Sequence, residues 1–492
     1  MAVDVLGEII TVRKMLSVIC CVLISSTYAE EKLTHSVALS QQSALVKELD
    51  AHIATLLPSI VSSIIVSNAT DGHVIYERNS LLNLVPASVL KTLTAMVAFD
   101  ALGGGFRYTT RVVSKRNEYV KKKRSIEEMA IIFEGDPSLQ REYLKALLLS
   151  VRKKGIQEIR GKVWLDGSAF SGYPKADGVS WNDLKICFGA PSTAMILDRN
   201  CFYALLSPNK TPGKKALVDY MHPERPMRLD NRLITVNADH EEACQPRSWP
   251  SKKANYQLEG CMTLYDTPIS LAFAVNNPEQ EMKTFVMASL KDLGIKHRGR
   301  VVIGKPDSNL SEVLGEHSSE PLSELLITML KTSDNLYADS FLKTIGYKYS
   351  GKSGSYQTGI NALIAGLEKA KIDLRCSHFE DGSGLSRDNL MSAATLNDIL
   401  LFSWRKGKEQ LPWLASREQE DRWFKTGTMK GVRSVCGYAF PENSPPLVFV
   451  VLLNGVVPRN GVSEAEAISF IQNIQLFQRR FIDVIANKKN KY

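Results

Sequence analysis

The sequence predicts an α+β fold in which the two ends of the chain build one domain around an antiparallel sheet. Near the start, residues 60–67 and 73–77 have strand patterns and flank the turn-forming stretch 68–72. Near the end, three strand patterns precede a helical pattern: the strands cover 425–428, 435–440 and 447–453, and the helix covers 463–485. The chain between the two ends is far longer than a connection within one domain requires, so we expect inserted domains there.

Helical periodicity predicts two helices in the first quarter of the chain. Residues 33–57 carry apolar side chains at helical spacing, namely Leu45, Leu49, Ile53 and Leu56. A more apolar helix begins at Pro86, which suits a first helical position, and ends at Gly103. Because this second helix has few polar positions, we expect it to be buried.

We expect the inserted part of the chain to form two smaller domains, one nested in the other. Strand patterns at 162–165, 233–236 and 285–290 indicate folding units within it. The predicted boundaries are a signal peptide at 1–29, a main domain at 30–107 plus 308–492, and an insertion at 108–307, divided into 108–180 with 290–307 and 181–289.

Residues 1–29 have the features of a secretory signal peptide. Arg13 and Lys14 precede the apolar run 15–24, and Ala29 ends a small-residue cleavage site. The apolar run is too short to span a membrane. We therefore expect an exported protein that is soluble or at most peripherally attached to a membrane. The last helix has an apolar face, which we expect to pack on the sheet rather than lie on a lipid surface.

Composition is that of an ordinary globular protein, with 44% hydrophobic and 23% charged residues among 492. The net charge of +9 is not concentrated into the basic, aromatic-rich face that nucleic-acid binding requires. Six cysteines follow the predicted signal peptide, and in an oxidising compartment they are expected to pair. The sequence has neither a Cys-x-x-Cys nor a His-Glu-x-x-His pattern, so we expect no metal site and no cofactor.

The strongest chemical signal is Ser88 followed by Lys91 at the head of the apolar helix. Residues three apart on a helix share a face, so the hydroxyl and the amine are close enough to touch. A buried lysine loses its proton more readily than a solvated one, and a neutral amine can accept the proton of a serine. The pair therefore predicts a nucleophile with its base.

Further Ser-x-x-Lys patterns occur, among them Ser150 to Lys153 and Ser403 to Lys406. Both fall at the basic ends of helical stretches rather than at the start of a buried helix. A short motif alone has a high false-positive rate, so companion motifs decide between them.

Ser88 has such companions further along the chain. Ser333-Asp334-Asn335 lies between two helical stretches, 322–331 and 336–345, and Lys425-Thr426-Gly427-Thr428 lies in a predicted strand. Ser-x-x-Lys, Ser-Asp-Asn and Lys-Thr-Gly in this order are the motif set of penicillin-binding proteins and serine β-lactamases.

Together with the three motifs, three further segments make the sequence resemble the penicillin-binding protein 4 family. These are the D-alanyl-D-alanine carboxypeptidase/endopeptidases of the S13 peptidase type. The segments are 134–139 around Gly-Asp-Pro, 181–201 with Trp181-Asn182-Asp183 and Cys187-Phe188, and 381–387. The resemblance implies a transpeptidase/β-lactamase-like catalytic domain carrying two nested insert domains, in the periplasm. It implies no cofactor, peptidoglycan stem peptides as substrates and β-lactams as inhibitors.

The resemblance also implies roles for residues of the three motifs. Ser88 attacks the carbonyl of the penultimate D-alanine with Lys91 as base, and the amides of Ser88 and Thr428 form the oxyanion hole. Ser333 passes a proton to the leaving amine, and Asn335 holds the substrate amide. The remaining motif residues bind the terminal carboxylate of the substrate: Lys425, Thr426, Gly427 and Thr428.

For substrate recognition, the resemblance implies that Asp166 and Arg387 contact the head of a diaminopimelate side chain, with help from Phe170. Asp166 also fits a turn cap in Asp-Gly-Ser, and Arg387 also fits a brace of its glycine-rich loop. Lys430 stands where glutamine is common in the family, and its charge bears on the choice of stem peptide. The expected disulfides are Cys187–Cys201 and Cys244–Cys261.

Two other functions compete with a DD-peptidase. A serine β-lactamase uses the same motifs, but the sequence has no Glu-x-x-Leu-Asn segment for deacylation and its insertion is far too long. A non-catalytic cell-wall-binding protein would be favoured by loss of Ser88, Lys91 or Lys425, and all three are present. The oligomeric state is not predicted by the sequence.

Overall fold

The structure, a computed structural model, describes residues 44–56, 58–115, 124–221, 227–237, 245–251, 255–307, 309–407, 421–442 and 444–486. Its helices are α1 (Ala44–Ile53), α2 (Leu90–Leu102), α3 (Arg141–Lys153), α4 (Pro278–Asp292), α5 (Leu322–Thr332), α6 (Asn335–Ser350), α7 (Tyr356–Lys369), α8 (Ala393–Arg405) and α9 (Glu464–Ile485).

Strands of the first half are β1 (Val61–Asn68), β2 (Val74–Arg78), β3 (Thr109–Ser114), β4 (Ser125–Ile126), β5 (Met129–Ile132), β6 (Glu158–Ile159), β7 (Val163–Asp166), β8 (Cys201–Ser207), β9 (Leu217–Tyr220), β10 (Leu229–Asn231) and β11 (Ile234–Val236). Those of the second half are β12 (Arg247–Pro250), β13 (Tyr256–Glu259), β14 (Cys261–Thr263), β15 (Ile269–Ala274), β16 (Lys296–His297), β17 (Val301–Ile303), β18 (Glu312–Ser318), β19 (Arg422–Met429), β20 (Gly431–Ala439) and β21 (Leu447–Val456).

The main sheet joins the two ends of the chain, as the sequence predicts. Its strand order is β19-β20-β21-β1-β2, and all four pairings are antiparallel. β21 lies beside β1 with Val61 opposite Asn454 and Asn68 opposite Leu447. The closing strands of the chain thus complete a sheet that its opening hairpin begins.

Both faces of the main sheet are covered by helices. Along β21, Val448, Val450 and Leu452 pack into the core shared with α2 and α5–α8, and the alternate residues pack against α1 and α9. Phe477 and Phe481 of α9 are buried in that second core. The prediction that the last helix packs on its own sheet is therefore confirmed.

Helix α2 lies at the centre of the helical layer. Every residue from Leu90 to Ala98 is buried, so the helix has no solvent-facing stripe along its first two turns. It ends where Gly103 takes a positive φ of 79° and donates its N–H to the Phe99 carbonyl. This placement explains why a lysine near its start is buried.

The insertion contains a second five-stranded sheet, in the order β17-β7-β5-β3-β18. Helices α3 and α4 pack on it through a core of their own. β18, in the part of the chain predicted to belong to the main domain, pairs with β3. The domain boundaries themselves stay predictions.

One predicted strand, 285–290, is wrong: it lies within helix α4. Asn277 caps this helix by accepting the Gln280 N–H at 3.0 Å, and Pro278 occupies the first turn. Met282, Val286 and Leu290, spaced by four, are buried against the insertion sheet. The short apolar run resembles a strand only if the cap before it is overlooked.

The nested part of the insertion is built from short strands around stacked aromatic rings. β15, β8 and β9 form one sheet, and Phe202, Tyr256 and Phe273 pack in its core. The predicted disulfide Cys187–Cys201 is present. Cys244 of the other predicted pair lies outside the described residues.

Residues 1–29, predicted to be a signal peptide, also lie outside the described residues. Across the ranges that are described, none of the helices combines the length and the apolar character that crossing a bilayer demands. Of the residues predicted as a helix at 33–57, the structure describes 44–56; helix α1 covers Ala44–Ile53, and residues 54–56 form a turn instead.

Replacing Phe481 with alanine tests the packing of α9 on the sheet. The substitution removes a fully buried ring, so we expect the free energy of unfolding of the main domain to fall by about 3–5 kcal/mol. Guanidinium denaturation followed by tryptophan fluorescence measures this. The matched control is Leu476→Ala on the same helix, where the side chain is 39% exposed. Equal unfolding midpoints for the two variants would contradict the packing.

Candidate active site

Ser88 and Lys91 are in contact at the start of α2. A short 3-10 turn, Ala87–Val89, runs directly into the helix. Ala87 has a positive φ of 52°, a strained conformation for a residue with a side chain. Nζ of Lys91 lies 2.9 Å from Oγ of Ser88. The predicted nucleophile and base therefore have the required geometry.

Lys91 is fully buried and has two more oxygen partners. Its Nζ donates to Oδ1 of Asn335 at 2.6 Å and to the carbonyl oxygen of Ser383 at 2.6 Å. Burial lowers the pKa of Lys91 to about 8, while nearby carboxylates, Asp381 foremost, act in the opposite direction. The amine therefore loses its proton at a lower pH than a solvated lysine, with equal charged and neutral populations near pH 8.

Ser333 and Lys425 form a second contact pair. Ser333 ends helix α5 in a left-handed conformation, φ 57° and ψ 37°. Nζ of Lys425, on strand β19, donates to Oγ of Ser333 at 2.8 Å and to the Thr426 carbonyl at 2.7 Å. Lys425 is only 7% exposed, so its side chain is largely shielded from bulk solvent.

Asp334 and Asn335 begin helix α6. Asp334 caps the helix by accepting the Tyr337 N–H at 3.2 Å. Asn335 accepts from Lys91 through Oδ1 and donates through Nδ2 to the Phe188 carbonyl at 2.8 Å. The Ser-Asp-Asn motif thus links the first motif to the third and also reaches the insertion.

The loop 381–386 supplies the carbonyl of Ser383 that contacts Lys91. It is organised by the carboxylate of Asp381, which accepts the N–H groups of Ser383, Gly384 and Ser386 at 3.1, 2.6 and 2.7 Å. Sequence analysis placed this loop in the family pattern but missed its contact with Lys91.

Asp339, on the buried side of α6, was also missed. Its Oδ1 accepts the Gly382 N–H at 3.1 Å, and its Oδ2 accepts the Tyr356 hydroxyl at 3.1 Å. Burial, reinforced by the charge of Asp381, raises the pKa of Asp339 to about 7. In sequence, an aspartate inside a helix gives no signal that distinguishes it from a solvated one.

Gly427 and Gly384 let the backbone close around the nucleophile. A Cβ on Gly427 would lie 2.8 Å from the Pro86 carbonyl oxygen and 3.0 Å from the Ser88 nitrogen. Gly384 has φ 76°, and its Cβ would lie 2.0 Å from the Ala87 carbonyl oxygen. Glycine is therefore required at both positions.

The Lys-Thr-Gly-Thr segment forms part of an edge strand. In the described part of the chain, β19 pairs with β20 and forms one edge of the main sheet. Thr426 is partly buried and Thr428 is exposed. An edge strand beside a nucleophile offers backbone groups to an extended peptide.

Arg387 and Lys430 meet beside the third motif. Nη2 of Arg387 donates to the Lys430 carbonyl at 3.0 Å, and its backbone N–H donates to the Gly178 carbonyl at 3.0 Å. Asp183 faces the same arginine: burial raises the pKa of Asp183, and the charge of Arg387 counteracts this. Asp183 was not among the predicted site residues, although it lies in the Trp-Asn-Asp segment that carried the resemblance.

Asp166 and Phe170 are brought together by the structure. They line a cavity of about 370 Å³, together with Lys348. Oδ1 of Asp166 accepts the Ser168 N–H at 2.9 Å, as expected of a turn cap. The predicted contact of Asp166 and Phe170 with substrate stays a prediction.

The serines of two other Ser-x-x-Lys patterns have ordinary helical roles. Oγ of Ser150 donates to the Leu147 carbonyl at 2.6 Å, and Oγ of Ser403 donates to the Ile399 carbonyl at 2.9 Å. Among the residues that the structure describes, no group of three or more His, Cys, Asp or Glu side chains is arranged to hold a metal ion.

Comparisons with known proteins agree with the motifs. Residues 45–416 match the family model described as the D-Ala-D-Ala carboxypeptidase 3 (S13) family. D-alanyl-D-alanine carboxypeptidase DacB of Haemophilus influenzae is 30% identical over 411 residues, covering 80% of this chain and 85% of that protein. D-alanyl-D-alanine carboxypeptidase of Actinomadura sp. is 26% identical over 428 residues, covering 81% and 78%.

Solved structures give the same result. The crystal structure of penicillin binding protein 4 (dacB) from Haemophilus influenzae superposes with a TM-score of 0.78 at 29% identity, covering 89% of this chain and 99% of that one. The same protein complexed with a β-lactam gives a TM-score of 0.74. The predicted resemblance and the α+β, transpeptidase/β-lactamase-like fold are confirmed: this chain belongs to the D-Ala-D-Ala carboxypeptidase 3 (S13) family.

Proposed function

We propose that the protein is a serine DD-peptidase that acts on peptidoglycan stem peptides, as carboxypeptidase on D-Ala-D-Ala ends and as endopeptidase on D-Ala–diaminopimelate cross-links. The observation that carries this proposal is the 2.9 Å contact between Oγ of Ser88 and Nζ of a buried Lys91. The family membership and the conjunction of all three motifs around that contact support it.

Acylation begins with the neutral form of Lys91. The amine takes the proton of Ser88 as Oγ attacks the carbonyl carbon of the penultimate D-alanine. The resulting oxyanion is stabilised by the backbone N–H groups of Ser88 and Thr428. The Ser88 amide also lies at the N-terminal end of α2, whose dipole favours negative charge.

Collapse of the tetrahedral intermediate breaks the peptide bond. The leaving amine takes a proton from Ser333, which lies 2.8 Å from Lys425, and the acyl group stays on Ser88. Water then attacks the ester, with Lys91 again as base, and releases the shortened peptide. Before that second attack, the Lys91 ammonium gives the proton it took from Ser88 to Ser333, which restores the Ser333 hydroxyl and the neutral amine. In deacylation, Lys91 passes the proton taken from water to Oγ of Ser88 as the ester breaks, so all three side chains end as they began.

Lys425 and the strand β19 bind the carboxylate end of the substrate. The ammonium of Lys425 provides a positive charge, Thr426 and Thr428 provide hydroxyl donors, and Gly427 lets the peptide lie close to Ser88. β-Lactams present a carboxylate and a reactive carbonyl in the same arrangement, so we expect them to acylate Ser88. Arg387 and Lys430 lie beside this strand, and we assign them to contacts with the stem peptide.

We further propose that the protein is exported to the periplasm and attaches to the inner membrane at most peripherally. The signal-like residues 1–29 support export. The burial of Phe477 and Phe481 against the sheet leaves those rings unavailable to lipid. Fractionation of cells producing the full chain tests this: recovery of the processed protein in the cytoplasm would contradict it.

Ser88→Ala should abolish covalent labelling by a fluorescent penicillin, seen as loss of the mass adduct. The matched control is Ser150→Ala, which removes the serine of another Ser-x-x-Lys pattern and should label normally. An adduct on the Ser88→Ala protein would refute the assignment of the nucleophile. Rapid turnover of the penicillin by the wild-type protein, without an accumulating adduct, would favour a β-lactamase.

The acylation rate should rise with pH and level off above about 8. Burial lowers the pKa of Lys91 to about 8, and the reactive form is the neutral amine, which predominates above that value. Stopped-flow acylation by a β-lactam without a titrating group in this range measures the profile. Asp339→Asn removes a charge that raises this pKa, so its profile should move to lower pH. A rate independent of pH from about 6 to 9 would exclude Lys91 as base.

A further inference from the structure

Two segments of the nested insertion lie directly against the Ser-Asp-Asn motif. The first is the 3-10 turn Cys187–Gly189, in which the Phe188 carbonyl accepts from Nδ2 of Asn335 at 2.8 Å. The second is the turn at residues 198–200, from which Nη1 of Arg199 reaches Oδ2 of Asp334 at 3.1 Å. The insertion thus contacts both polar side chains at the start of α6.

A covalent bond joins these two segments. Cys187 immediately precedes Phe188, and Cys201 follows Arg199 by two positions. Their disulfide, with Cα atoms 5.3 Å apart, keeps the Phe188 carbonyl and the Arg199 guanidinium in one unit.

The backbone that carries Arg199 has an uncommon conformation. Asp198, Arg199 and Asn200 have φ values of 49°, 57° and 50°, all in the left-handed region. The buried side chain of Asn200 holds the turn by donating to the Pro191 carbonyl at 2.9 Å and accepting the Leu197 N–H at 3.1 Å. Such strain persists only where the surroundings enforce it, and it concentrates at functional sites.

The ion pair completes the contacts of Asp334. One carboxylate oxygen caps α6 through the Tyr337 N–H, and the other faces Arg199. The guanidinium is oriented in turn by a 3.0 Å bond from Nη2 to the Tyr203 hydroxyl. The side chain of Asp334 is 12% exposed and that of Arg199 is 42% exposed, so the carboxylate is shielded from water while the guanidinium is partly solvated.

A second anchor fixes the insertion to the same helix. Lys343, two turns beyond Asn335 on α6, is buried and donates to the carbonyls of Tyr173 at 3.0 Å and Ser192 at 2.7 Å. The start of α6 therefore cannot move away from the disulfide-linked unit without disturbing this anchor as well.

We propose that this unit, formed by Phe188, Arg199 and the disulfide Cys187–Cys201, positions Ser333 and Asn335 for acylation. Asn335 also accepts from Nζ of Lys91 at 2.6 Å, so displacement of its side chain disturbs the base. Arg199 and the disulfide are positioning residues: they act through Asp334 and Asn335 and are assigned no contact with substrate. The inference rests on the proposed acyl-enzyme function and adds a role for the insertion in it.

Arg199→Met tests the proposal because it removes the charge while retaining much of the side-chain length. Stopped-flow acylation by a chromogenic cephalosporin separates the acylation rate constant from the initial dissociation constant. We expect the rate constant to fall about tenfold, since small displacements of catalytic groups slow reactions strongly. The dissociation constant should change less than about twofold, and Arg199→Lys should recover most of the rate.

The matched control is Arg232→Met in the same nested part, where the side chain is 52% exposed and pairs with Asp230. It should acylate like the wild-type protein. Thermal melting of each variant distinguishes positioning from loss of fold. A folded Arg199→Met protein with the wild-type rate constant would overturn the proposal, as would a loss of activity matched by the fraction unfolded.

The pair Cys187→Ala with Cys201→Ala tests the covalent link independently. A folded double variant should show the same lowered rate constant, and an unchanged one would overturn the role of the disulfide. If this variant does not fold, the Arg199 series still decides the proposal. Failure of the wild-type protein to acylate at all would instead refute the proposed function, so the two failures are distinguishable.

Discussion

The burial of the Lys91 amine beneath Ser88 is the constraint on which the site depends. A buried amine costs free energy unless it is hydrogen-bonded, and here Ser88, Asn335 and Ser383 supply the partners. Those partners come from three separate parts of the chain. Helix α2 must therefore lie at the centre of its layer, with α6 and the loop 381–386 closed around its first turn.

The same requirement gives the insertion a direct role in supporting the site. Asn335 reaches Lys91 with one amide atom and the Phe188 carbonyl with the other. Lys343, further along the helix, is held by two carbonyls of the insertion. The helix that carries the second motif is thus supported on one side by the catalytic core and on the other by the insertion. A chain lacking the insertion would leave Asn335 and Lys343 without these acceptors.

Much of the fold and of the catalytic core follows from local patterns. The spacing of Ser88 and Lys91, the Ser-Asp-Asn segment and the strand at Lys425 are each encoded within a few residues, and the structure brings them into contact. Asp339 and the contacts of Asp183 and Phe188 depend on how distant segments pack, for which the sequence has no local signal. The turn at Asp166 is likewise a local feature that the structure confirms, while its contact with substrate stays a prediction.

The central claim is that Lys91 is poised to lose its proton in the resting enzyme. Nuclear magnetic resonance of protein labelled at the lysine Cε carbon, titrated with pH and assigned with Lys91→Met, measures its pKa directly. Burial, partly offset by the carboxylates of Asp381, Asp339 and Asp334, predicts a value near 8. A value near the ordinary 10.5 would show a lysine that stays charged under working conditions, and would contradict its assignment as the base.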